Sequence, residues 1–289
     1  MSHLLCFGLG FSGKFLAQRL AAKSWRITGT SRSAEGAAEI GKLGYRAYHF
    51  DGTSPLPRHT LEDATAILIS IPPDETGDSV LRQHREDLVD LAPRLTWFGY
   101  LSTTGVYGDH SGEWVDEETP LTPNTVRGRR RLAAETGWLE LHQRHGLSVH
   151  IFRLAGIYGP GRNQLLSLKE GSARRIIKEG QIFSRIHVED IASVLEASIA
   201  KPNPGRAYDV ADDEPCPPQD VVEYGARLLG LPVPEAIPFE GANLSAMARS
   251  FYADSKRVSN ARIKHELGVS LKYPTYREGL TALVDYVRR

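Results

Sequence analysis

Leu4-Leu5-Cys6-Phe7-Gly8-Leu9-Gly10-Phe11-Ser12-Gly13 stands at the head of the chain. A short apolar run leads into Gly-x-Gly-x-x-Gly, and Lys14 to Ala22 then reads as a helix. Strand, glycine turn and helix in that order make a dinucleotide-binding signature. Each glycine answers a separate demand. Gly8 permits the tight turn, Gly10 lets a pyrophosphate approach the backbone, and Gly13 lets the helix pack close to the strand. The N–H groups and positive dipole end of the new helix face the phosphates. Gly8, Gly10, Phe11, Ser12 and Gly13 are the expected phosphate-binding residues. Without the flanking strand and helix, the same glycines would mark only a turn.

The second strand, Trp25 to Thr30, should end beside the adenosine ribose. An NAD site commonly carries Asp or Glu there, about 20 residues past the glycines. This chain has Thr30-Ser31-Arg32-Ser33. A carboxylate would repel a 2′-phosphate, whereas hydroxyls and a guanidinium would bind one. Ser31 and Arg32 are therefore expected to select NADP, with NAD as the other candidate. The competing reading is a solvent-facing Arg after a strand. Asp51, just past a third strand from Arg46 to Phe50, is placed with the cofactor-binding residues.

Ala34 to Leu43 reads as a helix ended by Gly44. Ala66 to Ile71 is a near-continuous apolar run, the pattern of a central parallel strand covered on both faces. Asp78 to Leu91 reads as a helix and Trp97 to Ser102 as a strand. This alternation predicts an α/β fold with a doubly wound parallel sheet. The 289 residues, 41% hydrophobic, suffice for one large α/β domain or for a domain with a smaller lobe. Lys+Arg and Asp+Glu both number 35, which argues against nucleic acid or an anionic membrane as partner. No run approaches the ~18 apolar residues of a membrane helix. No signal peptide is read at the N-terminus, so a cytoplasmic protein is expected. Two cysteines, Cys6 and Cys216, lack metal-ligand spacing, and no metal is expected. Cys6 is expected to be buried and inert.

Further motifs follow in order. Leu101-Ser102-Thr103-Thr104-Gly105-Val106-Tyr107-Gly108 leaves a strand at its carboxyl end. Arg153-Leu154-Ala155-Gly156-Ile157-Tyr158-Gly159-Pro160-Gly161, Arg185-Ile186-His187-Val188-Glu189-Asp190-Ile191-Ala192 and Tyr208-Asp209-Val210-Ala211-Asp212 come after it. Together these segments resemble the extended short-chain dehydrogenases/reductases, the NAD-dependent epimerase/dehydratase family, over roughly residues 1 to 215. The resemblance implies a Rossmann domain over 1–154, completed by about 183–211. It also implies a small α/β substrate lobe from 155–182 and 212–289. A small-molecule substrate is the implied partner, bound by a monomer or homodimer.

The resemblance breaks where the family carries Tyr-x-x-x-Lys. Aligned on the following Leu-Ala-Ala-Glu, Arg127 stands at the Tyr position and Arg131 at the Lys position. An atypical member lacking that pair is implied. Tyr252-x-x-x-Lys256 contains the spacing but lies in the C-terminal segment, so a catalytic role is not expected there. Ser255 reads instead as the N-cap of a helix running to Leu267 and stopped by Gly268. Pro217-Pro218 opens a helix through Leu229, and Thr275 with Glu278 forms a capping box for the last helix, to Val287.

Thr103 aligns with the family's catalytic Ser/Thr; its alternative is to satisfy backbone at a strand end. Tyr107 and Tyr158 are the remaining proton-donor candidates, or else packing and ribose contacts, the latter suiting Tyr158. His187 reads as structural, with Asp190 capping the next helix. Arg127 cannot act as a base, but Arg127 and Arg131, four apart, share a helix face. That face is either a solvated basic stripe, with Arg131 paired to Glu135, or a cleft wall gripping an anion. Arg129 and Arg130 should point elsewhere. Two functions stay open. One is an NADP(H)-dependent oxidoreductase acting on a small anionic substrate. The other is a non-catalytic NADP(H)-binding sensor or docking protein.

Overall fold

A computed structural model describes residues 2–288; Met1 and Arg289, the outer limits of the two expected domains, lie outside the described residues. The first half alternates strands and helices. In order these are β1 (His3–Phe7), α1 (Phe11–Ala21), β2 (Arg26–Ser31), α2 (Ala34–Lys42) and β3 (Arg46–His49). Then come α3 (His59–Glu62), β4 (Ala66–Ile69), α4 (Ser79–Leu91), β5 (Trp97–Thr103), β6 (Trp114–Val115) and α5 (Val126–His145). The second half holds β7 (Val149–Leu154), β8 (Gly156–Tyr158), α6 (Gln164–Lys169), β9 (Arg175–Ile177) and β10 (Arg185–His187). It continues with α7 (Val188–Ala200), β11 (Ala207–Val210), α8 (Pro218–Leu229), β12 (Ala236–Pro238) and α9 (Ala246–Phe251). The chain closes with β13 (Arg257–Val258), α10 (Ala261–Leu267) and α11 (Tyr276–Arg288).

Seven strands form one parallel sheet in the order β11-β7-β5-β4-β1-β2-β3. The chain winds outward from β1 to β3, then restarts at β4 on the other side of β1. That reversal puts a crevice at the carboxyl ends of β1 and β4, where doubly wound sheets bind ligands. β1, β4 and β7 are buried along their whole length, as expected for strands covered on both faces. The expected doubly wound α/β fold is present.

The glycine turn sits at this switch point. Gly8 has φ +83°, and a Cβ there would lie 2.8 Å from Ile71 Cγ1. At Gly13 a Cβ would meet Cys6 Sγ at 3.0 Å, so the glycine sets how closely α1 packs on β1. Gly10 differs: a Cβ there would meet only the Gly8 carbonyl, at 3.8 Å. The protein itself leaves that side of the turn open. Helix α1 begins at Phe11, a turn before the expected Lys14, because Gly10 serves as its N-cap and accepts from Lys14 N–H at 2.9 Å.

The C-terminal helices follow expectation except in one place. α8 ends on Gly230 and α10 on Gly268, both left-handed, and Glu278 accepts from Thr275 N–H to box the start of α11. Ser255, however, caps no helix. Residues 257–258 form a strand beside β6, and α10 starts only at Ala261 after Asn260. The Ser255 hydroxyl instead donates to Gly180 O (2.8 Å) and accepts from Ile182 N–H (3.0 Å). A partner distant in sequence outcompetes the local cap.

The contrast among the glycines is testable. Gly8→Ala strains a left-handed residue and crowds Ile71, and should cost about 1–3 kcal/mol in a denaturant titration. Gly10→Ala should leave that titration unchanged.

Candidate active site

Thr30 holds the glycine turn in place. Gly8 N–H donates to Thr30 Oγ1 and Leu9 N–H to Thr30 O, each at 2.9 Å. The sequence reading placed Thr30 only near the phosphate; its clamp on the turn went unread because it spans two strands. No side chain caps α1, so its first-turn donors carry no side-chain acceptor. Phe11 lies edge-on to Phe15 and under the Arg162 guanidinium, 5.9 Å from the ring centre. Ser12 lines the cleft above the turn.

Ser31, Arg32 and Asp51 gather at the carboxyl ends of β2 and β3. Ser31 pairs with His49 across the strands, and Arg32 O bonds His49 Nε2 at 2.9 Å. The Arg32 side chain is exposed and has no hydrogen bond or ion pair among the described residues. Ser33 is spent on capping α2, accepting from Gly36 N–H at 3.1 Å. Asp51 is exposed, and its carboxylate accepts from the Thr53 amide and hydroxyl, which hold its pKa below the usual carboxylate range.

A cleft of about 950 Å³ opens at the carboxyl edge of the sheet and is walled opposite by the C-terminal elements. Thr103, Arg127, Arg131 and Tyr158 all line it. Thr103 Oγ1 accepts from Gly105 N–H (3.1 Å), so it turns the chain at the end of β5 while facing the cleft. Arg131 does not pair with Glu135. Its guanidinium donates to Leu101 O and, at 3.3 Å, to Tyr100 Oη, docking it on the backbone of β5. Arg127 is exposed, and its guanidinium lies 5.7 Å from the centre of the Phe251 ring. Arg130, expected to point away, also lines the cleft.

Tyr107 is not brought to the cleft. It is fully buried, and its phenol donates to Asp209 at 2.9 Å and accepts from Arg153 Nη1 at 2.9 Å. Arg153 in turn pairs with Glu135 at 3.0 Å, and Ser102 donates to the same carboxylate. Glu135 and Arg153 are almost wholly buried, which explains why Glu135 is lost to Arg131. Burial opposes the charge on Arg153, yet the Glu135 carboxylate beside it holds its pKa above the usual value. Burial, reinforced by Glu117, pushes Asp209 well above the carboxylate range. Glu135 and Arg153 offset each other's charge in a dry site, which limits the desolvation cost.

Tyr158 packs edge-to-face on His187, ring centres 5.1 Å apart, and burial raises its pKa. His187, not Asp190, caps α7: its Nδ1 accepts from Glu189 N–H at 3.2 Å. Burial lowers its pKa to about 4. Asp190 turns away to accept from the amides of Lys272 (2.7 Å) and Tyr273 (3.0 Å). It anchors the segment leading to α11, a role no local pattern announces. Cys6 and Cys216 are buried, and burial raises their thiols to about 12 and about 11.

Charge distinguishes this cleft. Among the described residues it is lined by seven basic side chains, Arg127, Arg130, Arg131, Arg162, Arg174, Arg185 and Lys256, against two acidic ones, Glu170 and Asp254. The whole chain is formally neutral. Arg127 and Arg162 make ring contacts, and neither guanidinium has a hydrogen bond or ion pair among the described residues.

The chain belongs to the NAD-dependent epimerase/dehydratase family. That family's profile matches residues 83–211. Protein YeeZ of Escherichia coli (strain K12) is 32% identical over 286 residues, covering 95% of this chain and 97% of that protein. A solved structure of a functionally unknown conserved protein from Silicibacter pomeroyi is 52% identical over 98% of both chains, with TM-score 0.90. The dTDP-glucose 4,6-dehydratase of Bacillus anthracis, solved with NAD, shares the fold at TM-score 0.78 and 20% identity, over 100% of this chain and 97% of that one. Among the described residues no helix is long and apolar enough to cross a membrane.

Asp212 lies behind the cleft, on the backbone of Arg185, and its burial should make stability depend on pH. Its N–H donates to Arg185 O at 2.6 Å, and burial raises its carboxyl from the ordinary range to about 8. A carboxyl with a raised folded pKa takes up a proton on folding, so stability falls as pH climbs through that window. Denaturant titrations should show the unfolding free energy declining from about pH 4 to about pH 8. Asp212→Asn should flatten that decline and gain most over wild type at its alkaline end.

Proposed function

We propose that this chain is an NADP(H)-dependent reductase or dehydrogenase acting on a small anionic carbonyl or hydroxyl compound. The observation that carries the reading is the basic excess of the cleft in an otherwise neutral chain. A bound nicotinamide dinucleotide would supply or accept the hydride. Its pyrophosphate fits the turn at Gly8, Gly10, Phe11, Ser12 and Gly13. The open side of Gly10 and the uncapped start of α1 support that placement. Ser31 and the unpartnered Arg32 suit a 2′-phosphate, and Asp51 and Tyr158 suit ribose contacts. In this reading residues 1–154 and 183–211 bind the cofactor, while 155–182 and 212–289 form the lobe that covers the substrate.

Thr103 would hydrogen-bond the substrate oxygen, and Arg127 would grip its anionic group with a free guanidinium fork. Arg131, docked on Leu101 and Tyr100, would present its remaining donors to the nicotinamide ribose. One observation favours a second reading, a cofactor-binding sensor without turnover. The two positions aligned with the family's Tyr and Lys hold arginines, which do not release a proton. NADPH fluorescence with a panel of anionic aldehydes and ketones separates the two. Oxidation of the cofactor by any of them establishes turnover, and binding without oxidation across the panel favours the sensor.

Two substitutions test the assigned contacts. Arg32→Ala should weaken NADPH by about 1.5–3 kcal/mol in calorimetry and leave NADH unchanged. Equal wild-type affinity for both cofactors would remove the NADP reading. Arg127→Ala should abolish binding of the anionic ligand yet hold NADPH affinity within about twofold, a change of ~0.4 kcal/mol.

A further inference from the structure

Tyr252-x-x-x-Lys256 lies beyond the sheet in sequence, yet both residues line the cleft. The segment reaches the family's Tyr position directly, since Phe251 is the ring that meets Arg127. Strand alternation then sorts the side chains. Lys256 and Val258 face the cleft, while Arg257 between them turns to Gly112 O.

Both flanks of Lys256 are tied down. Gln181 Nε2 donates to Asp254 O at 2.6 Å, and Ser255 N–H donates to Asp109 at 2.7 Å. Val258 N–H donates to Ser184 Oγ at 3.0 Å, and Arg257 N–H to Glu113 O at 2.9 Å. The backbone that carries Lys256 is therefore fixed, as a preorganised reacting group requires. Lys256 is only 7% exposed, and its Nζ has a single partner, Asp254 Oδ2 at 3.4 Å, among the described residues. An ammonium has three donors, so two are left for whatever enters the cleft.

The arginines of the cleft, and its tyrosines Tyr252 and Tyr158, are poorly suited to giving up a proton. The arginines do not deprotonate. Tyr252 packs against Phe183 and Phe239, and burial raises its phenol. Burial also raises Tyr158.

We propose that Lys256 is a catalytic residue of this cleft, whose ammonium meets the carbonyl oxygen of a bound anionic aldehyde or ketone and donates the proton that makes it a hydroxyl. The inference rests on the reductase reading above. With hydride that a bound reduced nicotinamide would supply to the carbonyl carbon, the C=O π pair would move to oxygen, and that oxygen would take the proton from Nζ. Lys256 is left as a neutral amine and regains its proton from water. Burial favours this exchange by lowering the Lys256 pKa, against the opposing pull of Asp254 and Asp109. These two carboxylates are the charged groups that act on Lys256; on the same segment Tyr252 feels Arg185 of β10, and Phe251 meets Arg127.

Reductive labelling with glyoxylate and cyanoborohydride reads the amine without any turnover. Nζ attacks the aldehyde carbon, water leaves, and cyanoborohydride reduces the imine to carboxymethyl-lysine. A lowered pKa raises the free-amine fraction, so at pH 7 Lys256 should label faster than exposed Lys42 and Lys201 by peptide mass spectrometry. Asp254→Asn should accelerate labelling at Lys256, because it removes the carboxylate that favours the ammonium. NADPH titration of the same sample reports on the reductase reading separately. NADPH binding with no preference at Lys256 overturns this inference alone; preferential labelling without NADPH binding removes the reductase reading and the proton-donor role with it. Lys256→Met, with an unchanged melt, should keep NADPH affinity and lose at least about 100-fold in kcat on any carbonyl the wild type reduces. Undiminished kcat overturns the proposal.

Discussion

The buried pairing of Arg153 with Glu135 holds several elements of the Rossmann sheet to one helix. It ties β7 to α5, and through Ser102, Tyr107 and Asp209 it reaches β5, the loop after it and β11. Burying such charges yields little net stability, but stranding one of them would cost about 3–5 kcal/mol. The cost makes the arrangement all-or-none and sets the rotation of α5. With Glu135 held against the sheet, residues one and two turns earlier must point to its carboxyl edge. Those residues are Arg131 and Arg127. The polarity of the cleft floor is thus decided by a charge pair that never touches it.

The sheet was legible because its signals are local. The glycine turn, the apolar runs and their spacing each lie within a dozen residues, and the helix ends at Gly230 and Gly268 carry their own marks. What escaped depends on partners far away in the chain. Glu135 looks like a partner for Arg131 four residues earlier, but Arg153 offers a dry bidentate contact. Asp190 looks like a helix cap, but two amides 82 and 83 residues away claim it, leaving the cap to His187. Ser255 likewise yields to Gly180 and Ile182. Local capping chemistry contributes about 1 kcal/mol, which a buried orphan amide readily outweighs. Lys256 escaped for the same reason, since its place beside the cleft follows from the pairing of β13 with β6.

Charge in this protein is sorted rather than absent. Outside the cleft, basic residues are largely matched, as Arg58 is with Glu62, Asp87 and Asp90, and Arg262 with Glu117 and Glu118. Within the cleft Arg130 meets Glu75, while Arg127, Arg162, Arg131 and Arg185 are met by aromatic faces and carbonyls, which orient a guanidinium without cancelling its charge. Low-dielectric walls concentrate the resulting field, so a neutral molecule can still draw anions to one opening. Salt screens that attraction over about 8–10 Å.

The two short parallel ladders at the cleft mouth bear on how this scaffold can diversify. β12 is pinned to β9 and β13 to β6, each by two or three residue pairs. The stretch between them, 239–256, supplies the upper wall while contributing no strand to the seven-stranded sheet. None of its residues pairs in the seven-stranded sheet, so changes there break no rung of that sheet. It behaves as an exchangeable cassette held by two clips, so one cofactor platform could be fitted to many substrates by rewriting fewer than twenty residues.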